Sequence, residues 1–322
     1  MRFYCKIIEY GGFIMLLTKK QQEDMARQVA LKSRDIDICM FNALDDYLPK
    51  EMLLDCLMMY QNSDGGFGHG LHIDNYNTNS SVYQVYEAFR LLDMLGFDSS
   101  CEHELYDHII NKACNYLFNR VPLVNNKWNP NAKTNNNFAH SHEYECNKEN
   151  EELFGYHPTV ALLGYTLVFT KKTKVYYKKA LALIEAILKD FYKKEEFTKY
   201  ELISFNSLLE SLKKANELEG EWKKIEDKLI EVCKKVVSTD FDDIYKNLPL
   251  DIAFALDDPL LNKLKDEQLD YLIMHIAPHG MWDYKGSWGY NKYAEEDSAK
   301  LKWIGHGTVN NYFLLKKYGR LE

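Results

Sequence analysis

The stretch Gln61-Asn62-Ser63-Asp64-Gly65-Gly66-Phe67-Gly68-His69-Gly70 runs into Leu71-His72-Ile73-Asp74, and this segment concentrates the residue types that proton transfer needs. A carboxylate beside imidazoles moves protons near neutral pH once burial or a neighbour adjusts it. His69 and Asp74 are therefore the candidate catalytic residues, and His72 a candidate ligand contact. The set His69, His72 and Asp74 has metal-compatible types but not the spacing of a structural zinc site, and no metal or other cofactor is assigned. A second run, His140-Ser141-His142-Glu143-Tyr144-Glu145-Cys146, reads either as a zinc site built on His140, His142 and Cys146 or as a polar exposed loop. Near the C-terminus, Trp282, Trp288, Tyr290 and Trp303 supply flat faces that stack on sugar rings or isoprenoid chains; the alternative is packing that joins last and first elements.

Other chemical signatures are weaker or absent. Asp240-Phe241-Asp242-Asp243 spells a Brønsted-acid string, but such an acid must be buried to hold its proton. Here it follows a lysine-rich helical stretch and precedes Ile244-Tyr245-Lys246-Asn247, the setting of a cap or loop. Asp37-Ile38-Cys39 is the one Asp-x-Cys, far in sequence from His306. No nucleophile elbow, phosphate loop or dinucleotide fingerprint occurs.

The elements that must position these groups are helical. Apolar residues recur at three and four, predicting helices near 18–33, 50–61, 80–95, 101–119, 159–170, 173–191, 195–215, 219–238, 258–276 and 307–318. Thr18 and Gln21 make a capping box, and Gly96 and Gly319 sit where helices end. Two connections, 122–157 and 280–306, are long enough to be functional. An internal repeat organises the whole. Asp55 to Phe67 aligns without a gap with Asp270 to Trp282, keeping the pivot glycine and the aromatic while Gln61 becomes Ile276 and Asp64 becomes His279. A hydroxyl-Val pair follows each copy, Ser81-Val82 and Thr308-Val309, and a third, Thr159-Val160, follows the Asn-rich loop. A joint that survives such losses is structural first: Gln61 satisfies helix-end groups, Asp64 caps the turn, and Gly65 and Gly66 permit the reversal.

Composition bounds the rest. The 322 residues are 46% hydrophobic, enough for one sizeable core, and the net charge of −8 gives no general attraction to nucleic acid or anionic lipid. No apolar run reaches membrane-span length. Seven scattered cysteines without a C-x-x-C suit a reducing cytoplasm. Met15-Leu16-Leu17-Thr18 reads as a natural start, so residues 1–14 are expected to be a translated leader or disordered extension before a single domain, 15–322.

Gln61-x-x-Asp64-Gly65-Gly66-Phe67-Gly68 resembles the repeat of the α/α toroids of terpene cyclases and protein prenyltransferase β subunits. From Met15 on, the chain resembles an uncharacterised bacterial family of that superfamily, through Tyr60 to Leu71, Pro158-Thr159 with Gly164, Leu248-Pro249-Leu250, Ser287-Trp288-Gly289, Trp303 with Gly305, and Tyr318-Gly319-Arg320. Relatives in that family usually carry Glu where this chain has His72. The resemblance implies an all-α toroid, a closed barrel of paired inner and outer helices, with a small organic ligand, isoprenoid-like or other, in its central cavity. Two alternatives stay open: a carbohydrate-active lyase or hydrolase, and a non-catalytic interaction module. Protein prenylation is disfavoured because the zinc ligands are not assembled in sequence.

Overall fold

In the computed structural model, residues 4–7, 13–289 and 292–322 are described. Among them the chain is mostly helical: α1 (Lys19–Lys32), α2 (Asp35–Leu44), α3 (Met52–Met58), α4 (Val82–Met94), α5 (Glu104–Asn119), α6 (Lys148–Phe154), α7 (Thr159–Phe169), α8 (Val175–Phe191), α9 (Lys199–Ala215), α10 (Glu219–Val236), α11 (Pro249–Ile252), α12 (Pro259–Met274) and α13 (Glu295–Lys317). Two short antiparallel hairpins complete it, β1 (Tyr4–Ile7) with β2 (Phe13–Leu16) and β3 (Leu123–Val124) with β4 (Lys127–Trp128).

Local chemistry sets the helix starts. The Thr18–Gln21 capping box opens α1, Thr198 and Glu201 make a second before α9, and Asp258 caps α12 with Pro259 in the first turn. Helix α7 is apolar on every side and every one of its residues is buried, which places it inside. Helices α5, α8 and α10 bury one stripe each and present charge outward.

The helices lean on one another in succession. Helix α7 packs on α4, α8 and α9; α9 on α10 and α11; α11 on α12; α12 on α13; and α13 on α1 and α2. Hydrogen bonds from Arg90 to Asn310 and His306 tie α4 to α13. The segment before α1 meets the last residues as well, with Leu17 N–H donating to the Arg320 carbonyl at 2.8 Å and Glu322 N–H to the Leu17 carbonyl at 3.0 Å.

The repeat is visible in the backbone. Asn62 N–H donates to the Gly66 carbonyl at 2.8 Å, and at the aligned place Ala277 N–H donates to the Met281 carbonyl at 2.9 Å. Gly65 and Gly280 both take positive φ, +97° and +87°, and a Cβ on Gly65 would stand 2.3 Å from the Lys112 carbonyl oxygen of α5. Asp64 Oδ1 accepts from Gly66 N–H at 3.0 Å, and His279 Nδ1 accepts from Met281 N–H at 3.3 Å. The histidine therefore keeps the capping role of the aspartate it replaces. Gln61 donates to the Gly65 and Ile109 carbonyls at 3.0 and 3.1 Å, stitching the joint to α5.

The two long connections differ from expectation. Helix α13 begins at Glu295, so Trp303 and His306 are helical and Thr308 lies inside the helix, bonding back to the Ile304 carbonyl. Its first turn, Glu295-Glu296-Asp297, is favourable for a helix start but hides the apolar period. Segment 122–157 holds β3, β4, two 3-10 turns and α6. Helix α2 also falls outside the periodic segments, being apolar nearly all round.

Candidate functional site

Two clusters of polar groups are buried in this apolar frame, and they touch. The first surrounds Asp74. The loop after the joint is fixed from within by Gln84 of α4, which accepts from His72 N–H at 2.7 Å and donates to the Asn75 carbonyl at 3.0 Å. Asp74 is 9% exposed. Its Oδ1 accepts two indole N–H groups, Trp288 Nε1 at 2.6 Å and Trp303 Nε1 at 2.7 Å. Its Oδ2 takes no hydrogen bond among the described residues. Burial pushes the Asp74 carboxyl up to about 6, against the pull of the two indoles, with the Glu143 charge adding to the rise. His72 is likewise buried, and desolvation holds it down at about 3, as a neutral ring between Tyr83, Tyr144 and Trp303.

Glu143 faces this centre from the Asn-rich segment, accepting from the Tyr200 hydroxyl at 2.6 Å. Its charge is felt by Asp74, Tyr83, Tyr144 and Tyr284. Tyr284 lies flat on Trp303, centroids 5.3 Å apart and planes within 5°. The segment that carries Glu143 is held by asparagines: Asn131 donates to the Glu143 carbonyl at 2.9 Å and Asn135 to the Tyr144 carbonyl at 2.9 Å. Within the run His140 to Cys146, His140, Ser141 and Tyr144 are buried while His142 is exposed, so the segment is an exposed loop only in part. His142 contacts the Trp288 carbonyl at 3.0 Å. Among the described residues no group of three or more His, Cys, Asp or Glu side chains is arranged to hold a metal ion.

The second cluster is an ionic core. Arg34, at the start of α2, grips Asp37 through two bonds of 2.7 and 3.0 Å and donates to the Leu71 carbonyl at 2.9 Å. Arg90 grips Glu87 on α4 at 2.8 and 3.0 Å. His306 of α13 stands between, its Nδ1 at 2.7 Å from Asp37 and its Nε2 at 3.4 Å from Glu87. Burial works against every charge here, but pairing outweighs it: Arg34 and His306 hold Asp37 at about 2, Arg90 holds Glu87 well below its usual range, and the two carboxylates raise His306. Trp303 packs edge-on against His306 at 5.3 Å and links the two clusters.

The sequence-derived candidates are thus partly gathered and partly scattered. Asp74, His72, Trp288 and Trp303 come together. His69 lies at the surface with positive φ, its Nε2 at 2.9 Å from Asn62 Oδ1. Trp282 is buried beneath its own joint, donating to the Leu272 carbonyl at 2.8 Å. Tyr290 lies outside the described residues. Asp240 and Asp242 are exposed and Asp243 half-buried, Asp240 pairing with Lys246 at 2.6 Å and Asp242 with Lys285, and those lysine contacts lower both paired carboxyls. Asp37 and His306 do meet across the sequence, though as an ion pair with Arg34, while Cys39 faces Cys56. Missed by sequence reasoning were Arg34, Glu87, Arg90 and Tyr200, and Glu143 was placed in the His140–Cys146 run but not beside Asp74. The one available signal was opposite charges three apart inside apolar helices, Arg34 with Asp37 and Glu87 with Arg90.

A cleft of about 290 Å³ opens beyond the ionic core, lined by residues of α4, α7, α9, α11 and α13 that include Tyr86, Arg90, Tyr165 and Asp251. A larger surface groove of about 540 Å³ near Gly96 and Thr170 includes no residue of either buried cluster. Comparison with protein-family models, with curated proteins and with solved structures gave no match. No helix among the described residues is long and apolar enough to cross a membrane.

Proposed function

We propose that this chain is an α/α toroid carrying a carbohydrate-active acid–base centre at Asp74. The toroid reading is supported by the succession of inner neighbours from α4 through α7, α9, α11 and α12 to α13 and α2, and by the return from α13 to α4 through His306 and Arg90. Six free cysteines among the described residues fit a reducing cytoplasm.

The observation that carries the chemistry is Asp74 itself. A buried carboxyl raised to about 6 keeps its proton in mildly acidic solution, and with Oδ1 occupied by two indoles the proton belongs on Oδ2, free to be given away. Glu143 is the second carboxylate such a centre needs. In a hydrolase, Asp74 protonates the departing glycosidic oxygen as its C–O bond breaks, while Glu143 takes the proton of the attacking water. The Tyr284–Trp303 stack and the surrounding tyrosine hydroxyls suit a hydroxylated ring better than an isoprenoid chain. The Asp240-Phe241-Asp242-Asp243 string suits isoprenoid cyclisation poorly, since Asp240 and Asp242 are exposed with carboxyls held down by lysines and Asp243 is only half-buried.

The test is turnover of an oligosaccharide panel, followed by reducing-end release for hydrolysis and by ultraviolet absorbance of unsaturated products for elimination. Activity is expected to fall as pH rises through about 6, where Asp74 loses its proton. Asp74→Asn should lower kcat by about 10²–10⁴-fold. Turnover that survives Asp74→Asn, or binding of prenyl diphosphates but no saccharide, would sink this reading.

A further inference from the structure

The geometry points to a second binding site: the cleft between α4, α7, α9, α11 and α13 accommodates an organic ammonium of the diamine or polyamine class, held by Tyr86, Asp93 and Asp251. The inference stands apart from the Asp74 centre and uses none of its residues.

Tyr86 is the first observation. It is 5% exposed, lines the cleft, and its hydroxyl makes no hydrogen bond among the described residues. The oxygen is open to the cleft and not among the fully buried unpartnered atoms, so a ligand atom there would take the place of water. Its ring stacks towards Tyr165, another lining residue, with centroids 6.4 Å apart.

The unspent hydrogen-bonding capacity of the cleft decides the ligand's chemistry. Arg90 lines it but has nothing left to give. Its five N–H groups go to Glu87, His306, Asn310 and the Met94 sulfur at 2.8 to 3.2 Å. Lys317 keeps N–H groups beyond its bond to Glu210, at the Phe254 end of the cleft. The carboxylates are different, since each meets one lysine through a single oxygen: Asp93 with Lys214 at 2.6 Å, Asp251 with Lys199 at 2.9 Å, and Glu210 with Lys317 at 2.9 Å. Their remaining lone pairs are acceptors in a cleft that Tyr86, Tyr165 and Phe254 also line. The lining carboxylates, Asp93, Glu210 and Asp251, outnumber the lining cations, Arg90 and Lys317, which favours a cationic ligand.

The chain already shows the pairing it would use. Lys317 lays its ammonium on Glu210 and over the Phe254 ring, 5.4 Å from the centroid, and all three residues line the cleft. Asp93 and Asp251 both act on the Tyr86 phenol, so a second ammonium beside that ring meets two carboxylates and an unpartnered hydroxyl. A volume of about 290 Å³ corresponds to roughly ten water-sized groups, the scale of a short polyamine and not of a polymer.

Calorimetric titration of the full-length protein with spermidine and with putrescine tests this, with inorganic phosphate as the anionic probe. Saturable one-site binding of spermidine is expected, unchanged in Asp74→Asn. It should weaken at least tenfold in the Asp93→Asn, Asp251→Asn double variant and severalfold in Tyr86→Phe. The Glu149→Gln, Glu152→Gln variant removes exposed charge elsewhere and should leave the affinity as it is. Circular dichroism confirms that each variant is folded. The proposal is overturned if neither amine binds, if phosphate competes with spermidine, or if the cleft variants bind as the parent does, since the amines would then be held by the acidic surface at large.

Discussion

Asp74 shows how one residue acquires an acidity its type does not specify. An exposed aspartate is ionised at any physiological pH, whereas this one is desolvated on three sides by Trp288, Trp303 and the loop of His72. Raising its folded-state pKa from 3.8 to about 6 means that the native state prefers the protonated form. Its contribution to stability is therefore intact below the unfolded value and is lost as pH rises towards about 6, a difference of roughly 3 kcal/mol. Asp74→Asn, neutral at every pH, should be more stable than the parent at pH 8 and no more stable at pH 3.5, as read by urea midpoints. Equal midpoints at both pH values would show that the carboxyl is solvated. His279 shows the converse, a residue that keeps an old role with new chemistry, since its Nδ1 caps the same turn position that Asp64 Oδ1 caps in the first copy.

At the scale of the element, the ionic core converts separate helices into one body. Helices α2, α4 and α13 each contribute a charged or ionisable side chain, and His306 binds to the other two. Arg34 extends the same network to the carbonyl of Leu71, so the loop that presents His72 and Asp74 is anchored by the core. Removing one partner strands the rest in a low-dielectric interior. Asp37→Asn should cost about 3–5 kcal/mol in chemical denaturation, whereas replacing the pair, Arg34→Met with Asp37→Leu, should cost far less. If the single and double variants lose the same stability, Arg34 is not a stranded charge in the single variant. Parts of this layer were readable in advance. The amphipathic stripes of α5, α8, α10 and α12 and the capping box of α1 follow from local sequence. Helix α2 and the first half of α13 did not, the one because it is buried all round and the other because its first turns are charged.

For the molecule as a whole, the buried histidines set the response to acid. His72 and His157 have folded-state pKa values held down at about 3 by burial, and His157 leaves its Nε2 without a partner. Each is neutral in the native state and binds a proton on unfolding below the unfolded value of 6.5. Stability should therefore fall between about pH 6.5 and pH 3, with about two protons taken up on unfolding near pH 5 from this pair. His157→Gln should remove one of the two, flattening the urea midpoint against pH. Below pH 4 the loss of Asp37 and Glu87, whose carboxyls are lowered, adds to the slope.

Sequence by itself determined the helical class, the repeat and the joint, because these rest on contacts between near neighbours. The periodicity, the Gln61–Gly66 turn and its copy at Ile276–Met281 all close within one turn or one hairpin of helices. It also pointed to Asp74, His72, Trp288 and Trp303. It could not bring them together, since Asp74 meets its indoles only across most of the chain's length. Nor could it set Glu143 beside Asp74 or reveal the His306 cluster, whose residues are unremarkable as types and acquire altered acidity only from one another. Burial and pairing are properties of the packed molecule, and they decide which of its carboxyls is raised, as at Asp74, and which are lowered, as at Asp37 and Glu87.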